Sequence, residues 1–172
     1  MARRILAMTT QTTLTATADT TNLVNGSYPY ALQGSSSTQL TNIWEVSIAG
    51  QAASSSSPTF MLLSYDSTIG TGAQTQGTGG TDIATNPATA ALGSVVGVGS
   101  VFATILPQRS ATGHLLNCSL NAFGGVYFWR ANRVEECMTM LGNTASLGSM
   151  SLSAFTGGTT GLIGCHTIYE TL

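Results

Sequence analysis

The sequence contains no lysine. Charge of either sign is scarce: five arginines and seven carboxylates make up 7% of 172 residues, against roughly 25% in an average soluble domain. Five arginines (Arg3, Arg4, Arg109, Arg130 and Arg133) cannot neutralise many phosphates, which argues against genome packaging by charge and against direct nucleic-acid binding. Disorder from low hydrophobicity and high charge is also excluded, because 42% of the residues are hydrophobic and the net charge is -2. Long apolar runs are missing too. None approaches the length of about 18 residues that a membrane-spanning helix needs. After Arg3 and Arg4 the stretch from Ile5 to Met8 is short for a secretory h-region of roughly 7–15 residues, so no leader and no membrane partner are expected. Amphipathic helix patterns are nearly absent as well.

The catalytic and metal-ligating inventory is equally thin. His114 and His166 are the only histidines. A Ser or Cys nucleophile needs a neighbouring base held by a third group, and no GxSxG elbow occurs. Cys165 and His166 are adjacent in an alternating run and so point to opposite faces of a strand. The same holds for Glu135 and Glu136, a poor acid–base pair. Cys118, Cys137 and Cys165 are odd in number and lack CxxC spacing, which suits small buried side chains better than a disulfide framework or a zinc site. The glycine-rich Gly77–Gly80 and Gly97–Gly99 stretches have no following lysine and no strand–helix context, so they are not phosphate loops. Asn25-Gly-Ser and Asn117-Cys-Ser match a glycosylation triplet that arises often by chance. No enzyme activity, metal or cofactor is expected.

What the chain does have is short apolar or alternating runs bounded by Gly, Ser, Asn or Pro, rich in Thr and Val. Nine qualify as strands: Thr12–Ala18, Tyr28–Gln33, Asn42–Ala49, Thr59–Tyr65, Val101–Leu106, Leu115–Leu120, Val126–Ala131, Leu147–Ser153 and Leu162–Glu170. In the third, strict alternation puts Trp44, Val46 and Ile48 on one face and Ile43, Glu45 and Ser47 on the other. In the last, Ile163, Cys165, Thr167 and Tyr169 share a face. Pro58–Tyr65 reads as a strand buried on both sides. The expected fold is all-β: an antiparallel β-sandwich, jelly-roll-like, spanning residues 26–172. Residues 1–25 are expected to form an extended Thr-rich arm, and the low-complexity stretch 66–100 an inserted Gly/Thr-rich loop.

The densest local feature is Gly124-Gly-Val-Tyr-Phe-Trp-Arg-Ala-Asn-Arg. Aromatics and arginine concentrate at protein–protein hot spots, so Trp129, Arg130 and Arg133 read as an interface anchor. Alternatively, Trp129 packs inside and the arginines pair with Glu135 and Glu136.

In this combination of Thr-rich start, nine strands, Gly/Thr-rich loop and the Gly124–Ala131 and Leu141–Glu170 segments, the chain resembles virion structural proteins of tailed phages. The closest style is the capsid decoration, or cement, protein. That resemblance implies a homo-oligomer, with trimers favoured, on the outside of a shell. Its arm and sheet edges would staple the major capsid protein or identical subunits. It also implies synthesis in the host cytoplasm. The interface candidates are Arg3, Arg4, Leu14, Tyr28, Tyr30, Trp129, Arg130 and Arg133. Two other readings stay open: the coat protein of a small virus or phage, and a carbohydrate-binding β-sandwich that stacks sugars on Tyr28, Tyr30 or Trp129.

Overall fold

Thr, Val and Ile restrict χ1 and suit a pleated surface, and their runs here form strands joined by turns. The computed structural model describes residues 4–14, 30–34, 37–50, 58–71, 74–75, 83–84, 96–99, 101–102, 105–121, 123–142, 144, 146–154 and 161–172. The strands are β1 (Arg4–Leu14), β2 (Tyr30–Gly34), β3 (Leu40–Gly50), β4 (Pro58–Thr68), β5 (Gln74–Thr75), β6 (Ile83–Ala84) and β7 (Val96–Gly99). They continue with β8 (Val101–Phe102), β9 (Gln108–Asn121), β10 (Val126–Arg130), β11 (Met138–Leu141), β12 (Ser149–Ala154) and β13 (Gly161–Thr171). A single 3-10 turn, Val134–Glu136, is the only helical element among the described residues. The protein is all-β and its sheets are antiparallel.

The first sheet runs β10-β3-β13-β1-β6, with β11 continuing the β10 edge along β3; the second runs β7-β2-β12-β4-β9. The chain alternates between them: β1, β3, β10 and β13 lie in the first, β2, β4, β9 and β12 in the second. Facing side chains from both sheets share one core, which includes Leu32, Ile43, Val46, Ile48, Met61, Leu63, Met150, Leu152, Ile163 and Tyr169. Each such side chain contributes roughly 1.5–3 kcal/mol through burial. Tyr65 ties the sheets by donating its hydroxyl to the Thr139 carbonyl at 2.5 Å. The passage from β9 to β10 is tight. Gly125 N–H donates to the Asn121 carbonyl at 2.6 Å, and a Cβ on Gly125 would lie 2.5 Å from Asn121 N, which explains the glycine at 125.

The projecting arm expected over 1–25 is corrected for residues 4–14. They are extended, but as a strand of the chain's own first sheet, paired with β13 from Arg4 opposite Thr171 to Leu14 opposite Gly161. Hydrogen bonding over eleven register positions satisfies a backbone that a free arm would leave to water. The first run expected, Thr12–Ala18, therefore begins eight residues too late. The Gly/Thr-rich stretch is also more than a loop: β6 pairs with β1, β7 with β2, and β5 with β8. Met138–Leu141 is a strand missed in the sequence, since two methionines between Cys and Leu carry no strand-specific pattern.

Strict alternation in β3 is corrected as well. Ile168 faces Glu45 but Tyr169 faces Ile43, so β3 carries one extra residue, Trp44, as a bulge. Ile43, Val46 and Ile48 point into the core, and Trp44 turns to the outer face. The expectations for β13 and β4 agree with the structure. Ile163, Cys165, Thr167 and Tyr169 are all buried on one face, and Met61 through Ser64 are buried on both.

Candidate functional site: a bare sheet face with a groove

The bulge at Trp44 builds the most distinctive surface of the molecule. Its indole N–H donates to Glu170 Oε2 at 3.1 Å, and Glu170 is fully buried. The ring is thereby held at one edge, beside Ile168 of β13 and Ile5 of β1. Glu45 lies next to Arg130 across the β3–β10 pair, Oε2 to Nε 4.0 Å. Ile5, Trp44, Glu45, Arg130 and Ile168 line a groove of about 320 Å³, at the small end of ligand-sized clefts, with an apolar floor and one ionic end. The Glu45–Arg130 contact contributes little stability, because Arg130 is 68% exposed. Trp44→Phe keeps the ring but removes the donor to a buried carboxylate. We expect it to lower the unfolding free energy by about 1–3 kcal/mol in urea titration; an unchanged midpoint would show that the indole N–H is dispensable.

The groove belongs to a wider bare face. Among the described residues, the large apolar side chains exposed on strands are Ile5, Val126, Phe128 and Leu141, and all four lie on the outer side of the first sheet. Val126 is 73% exposed and Phe128 56%. Along β10 the outward row is Val126, Phe128, Arg130. Beside it on β3 the outward row is Ala49, Ser47, Glu45. A ridge of large side chains therefore runs next to a trough of small ones.

The outer side of the second sheet differs along its width: over β2, β12 and β4 it is closed to solvent, whereas Asn117 and Ser119 on β9 are exposed. Ala31, Leu62, Ser64, Asp66, Ser149, Ser151 and Ser153 on that side are all at or below 1% exposure. Past the end of β4, the Gly70 carbonyl accepts from Gln33 Nε2 at 2.9 Å. Asp66 accepts hydrogen bonds from Ser149 Oγ at 2.6 Å and Ser151 Oγ at 2.5 Å. Its cross-strand partner is Arg109, also buried, whose Nη1 donates to Ser153 Oγ at 3.0 Å. Burial raises the Asp66 carboxyl from 3.8 to about 7; the two serine donors and the Arg109 charge oppose that rise without overcoming it. This cluster is closed to solvent and ties β4, β9 and β12 together from within the sheet.

The residues singled out in the sequence scatter over this framework. Arg3 and Tyr28 lie outside the described residues. Arg4 opens β1 and Leu14 ends it; Tyr30 opens β2 opposite Leu152. Trp129 points inward and packs against the core, as in the alternative reading of that segment. Arg130 alone joins the groove, through Glu45 and not through Glu135 or Glu136. Arg133 is exposed in the loop before the 3-10 turn, and Glu136 Oε2 instead accepts from the Asn132 backbone N–H at 2.9 Å. The charged network expected among these four residues is therefore corrected: backbone geometry after β10 carries Glu136 back onto its own turn. Ile5, Trp44, Glu45 and Ile168 were missed. Only the Trp44-Glu45 dipeptide could have signalled them, and the assumption of unbroken alternation grouped Trp44 with Val46 and Ile48, which face the core.

No cysteine forms a disulfide. Cys118 and Cys165 are core residues, and burial pushes the Cys118 thiol up to about 11, which keeps it an inert thiol. His114 is exposed on β9, and His166 is half-buried on the outer side of β13, facing away from Cys165. Among the described residues no three His, Cys, Asp or Glu side chains gather closely enough to hold a metal ion. No described helix is long and apolar enough to cross a membrane. No protein-family model, curated protein or solved structure matches the chain.

Proposed function

We propose that the chain is a non-enzymatic subunit of a protein shell: a virion coat protein built on a single jelly roll, whose partners are identical copies. The observation that carries this reading is the asymmetry of the two outer faces. Over β2, β12 and β4 the outer side of the second sheet is closed to solvent, whereas the outer side of the first exposes Ile5, Val126, Phe128 and Leu141, and exposed apolar surface of this kind marks protein–protein contact. The scarcity of charge fits a surface that neighbours cover, since crowded copies then repel one another little.

The strand order supports the jelly roll. Setting aside the short strands, the eight long ones in chain order are β1, β2, β3, β4, β9, β10, β12 and β13, and the sheets run β10-β3-β13-β1 and β2-β12-β4-β9. This is the arrangement of two interlocked Greek keys, an architecture shared by capsid, lectin and cupin domains. Fold alone does not carry function; the bare face is what separates these uses here. Among virion roles, a shell subunit is better supported than a decoration protein, because β1 is committed to the chain's own sheet and is not free to staple a neighbour. A carbohydrate-binding module is the second reading. It is favoured by the tethered Trp44 ring beside Glu45 and Arg130, a stacking surface with polar partners at one end.

Electron microscopy of the purified full chain, at low and high ionic strength, tests the proposal. Closed particles of uniform diameter are expected. Monomers that bind a mono- or disaccharide in titration calorimetry, and form no particles, would move the assignment to the second reading.

A further inference from the structure

We propose that the β10–β3 corner of the bare face is the seat of a second copy of this chain, docked face to face about a two-fold axis that runs parallel to the strands between β10 and β3. The inference rests on the shell reading and specifies one of its contacts.

The geometry follows from the two adjacent rows. The outward row on β10 is Val126, Phe128 and Arg130; directly across, on β3, are Ala49, Ser47 and Glu45. An axis between the strands, lying in the plane of contact, leaves strand direction unchanged and exchanges the two rows. Each chain's β10 then lies on its partner's β3. Val126 seats over Ala49, Phe128 over Ser47, and Arg130 over Glu45. Two large apolar side chains meet two small ones, and a guanidinium meets a carboxylate, twice over. A surface that pairs with itself in this way is what an isologous dimer requires. The opposite charges sit only 4.0 Å apart within one chain, so they straddle the axis. A second copy desolvates them, and their attraction grows as water leaves.

The contact also explains exposures that the single chain leaves without a purpose. Val126 and Phe128 are the most exposed large apolar residues among the strand residues whose side chains are described. They lie on an edge strand, where bare apolar side chains invite association. Among the described residues, the second sheet offers no comparable apolar row: its exposed outer positions on β9, Asn117 and Ser119, are polar.

A charge exchange between molecules tests the inference without relying on the contact within one chain. Glu45→Arg and Arg130→Glu are each expected to weaken self-association at least tenfold in sedimentation equilibrium, because like charges then face each other across the axis. An equimolar mixture of the two variants is expected to associate again. In the mixed pair each Arg130 faces a Glu45, and each introduced glutamate faces an introduced arginine. No contact within either chain is repaired by mixing, so recovery can come only from the interface. Ser47→Arg, which fills the trough without touching the charges, should weaken association in every combination. Variants that associate like the wild type, or a mixture that stays monomeric, would overturn the inference. If the variants still assemble into uniform particles, this contact is wrong and the shell reading stands. If the wild type is monomeric throughout, the shell reading fails with it.

Discussion

Arg109→Met should cost about 1–2 kcal/mol more unfolding free energy at pH 8 than at pH 5.5. The guanidinium is buried opposite Asp66 and bonded to Ser153. Methionine fills much of the volume, so the loss is electrostatic: without the Arg109 charge that opposes the rise, the Asp66 carboxyl is pushed further up and stays protonated at pH 8, and the stabilisation of its ionised form is lost. Two features distinguish this from ordinary loss of packing. The cost shrinks below pH 6, where Asp66 is protonated and needs no counter-charge. It is also largely recovered in the double variant Asp66→Asn/Arg109→Met, because removing both members of a buried pair is far milder than removing one. Urea titrations at pH 5.5 and pH 8 decide the matter. A cost below about 1 kcal/mol at pH 8, or the same cost at both pH values, would show that Asp66 and Arg109 are not coupled through charge.

The second large effect is the pH profile of the unaltered protein. Asp66 titrates near 7 in the fold and near 3.8 unfolded, so between those values the folded chain holds a proton that the unfolded chain has lost. Its contribution to stability is fully present below about pH 4, declines as pH rises, and is lost once pH passes about 7. The difference between the limits is on the order of 4 kcal/mol. Other carboxylates add their own slopes, so the informative quantity is wild type minus Asp66→Asn, measured at each pH. That difference should favour the wild type in acid relative to alkali. A flat difference from pH 4 to pH 8.5 would show that Asp66 ionises as easily in the fold as in water. Ionisation of Asp66 is also expected to loosen the chain just past β4, where the Gly70 carbonyl accepts from Gln33. Amide exchange at Gly70 and Thr71 should accordingly quicken more steeply across neutrality in the wild type than in Asp66→Asn.

Fold class was legible in the sequence because it depends on pattern. Period-two burial in β13, the doubly buried β4 and the Gly124-Gly125 turn are each written in a few consecutive residues. Position within the architecture was less legible. Nothing in Arg4–Leu14 says whether an extended Thr-rich segment pairs with its own sheet or another's, because its partner β13 lies at the far end of the chain. The groove was hidden for a sharper reason. One bulged residue at Trp44 inverts the facing of half of β3, and a bulge depends on register with β13, which no local window contains. The same blindness concealed the Asp66–Arg109 lock, whose members are 43 positions apart and meet only when β4 and β9 pair. Trp129, read either as an interface anchor or as a core residue, packs on the core, and Trp44, grouped by alternation with Val46 and Ile48, turns away from them and lines the groove.

Sedimentation velocity of the full chain, run over a hundredfold concentration range alongside Phe128→Glu, bears most directly on self-assembly through the bare face. The wild type should sediment as species larger than a monomer, increasingly so with concentration. Phe128→Glu, which puts a charge in the middle of the exposed β10 row, should shift the distribution toward the monomer while keeping the wild-type thermal midpoint. A wild-type chain that sediments as a single monomer boundary at every concentration would contradict it.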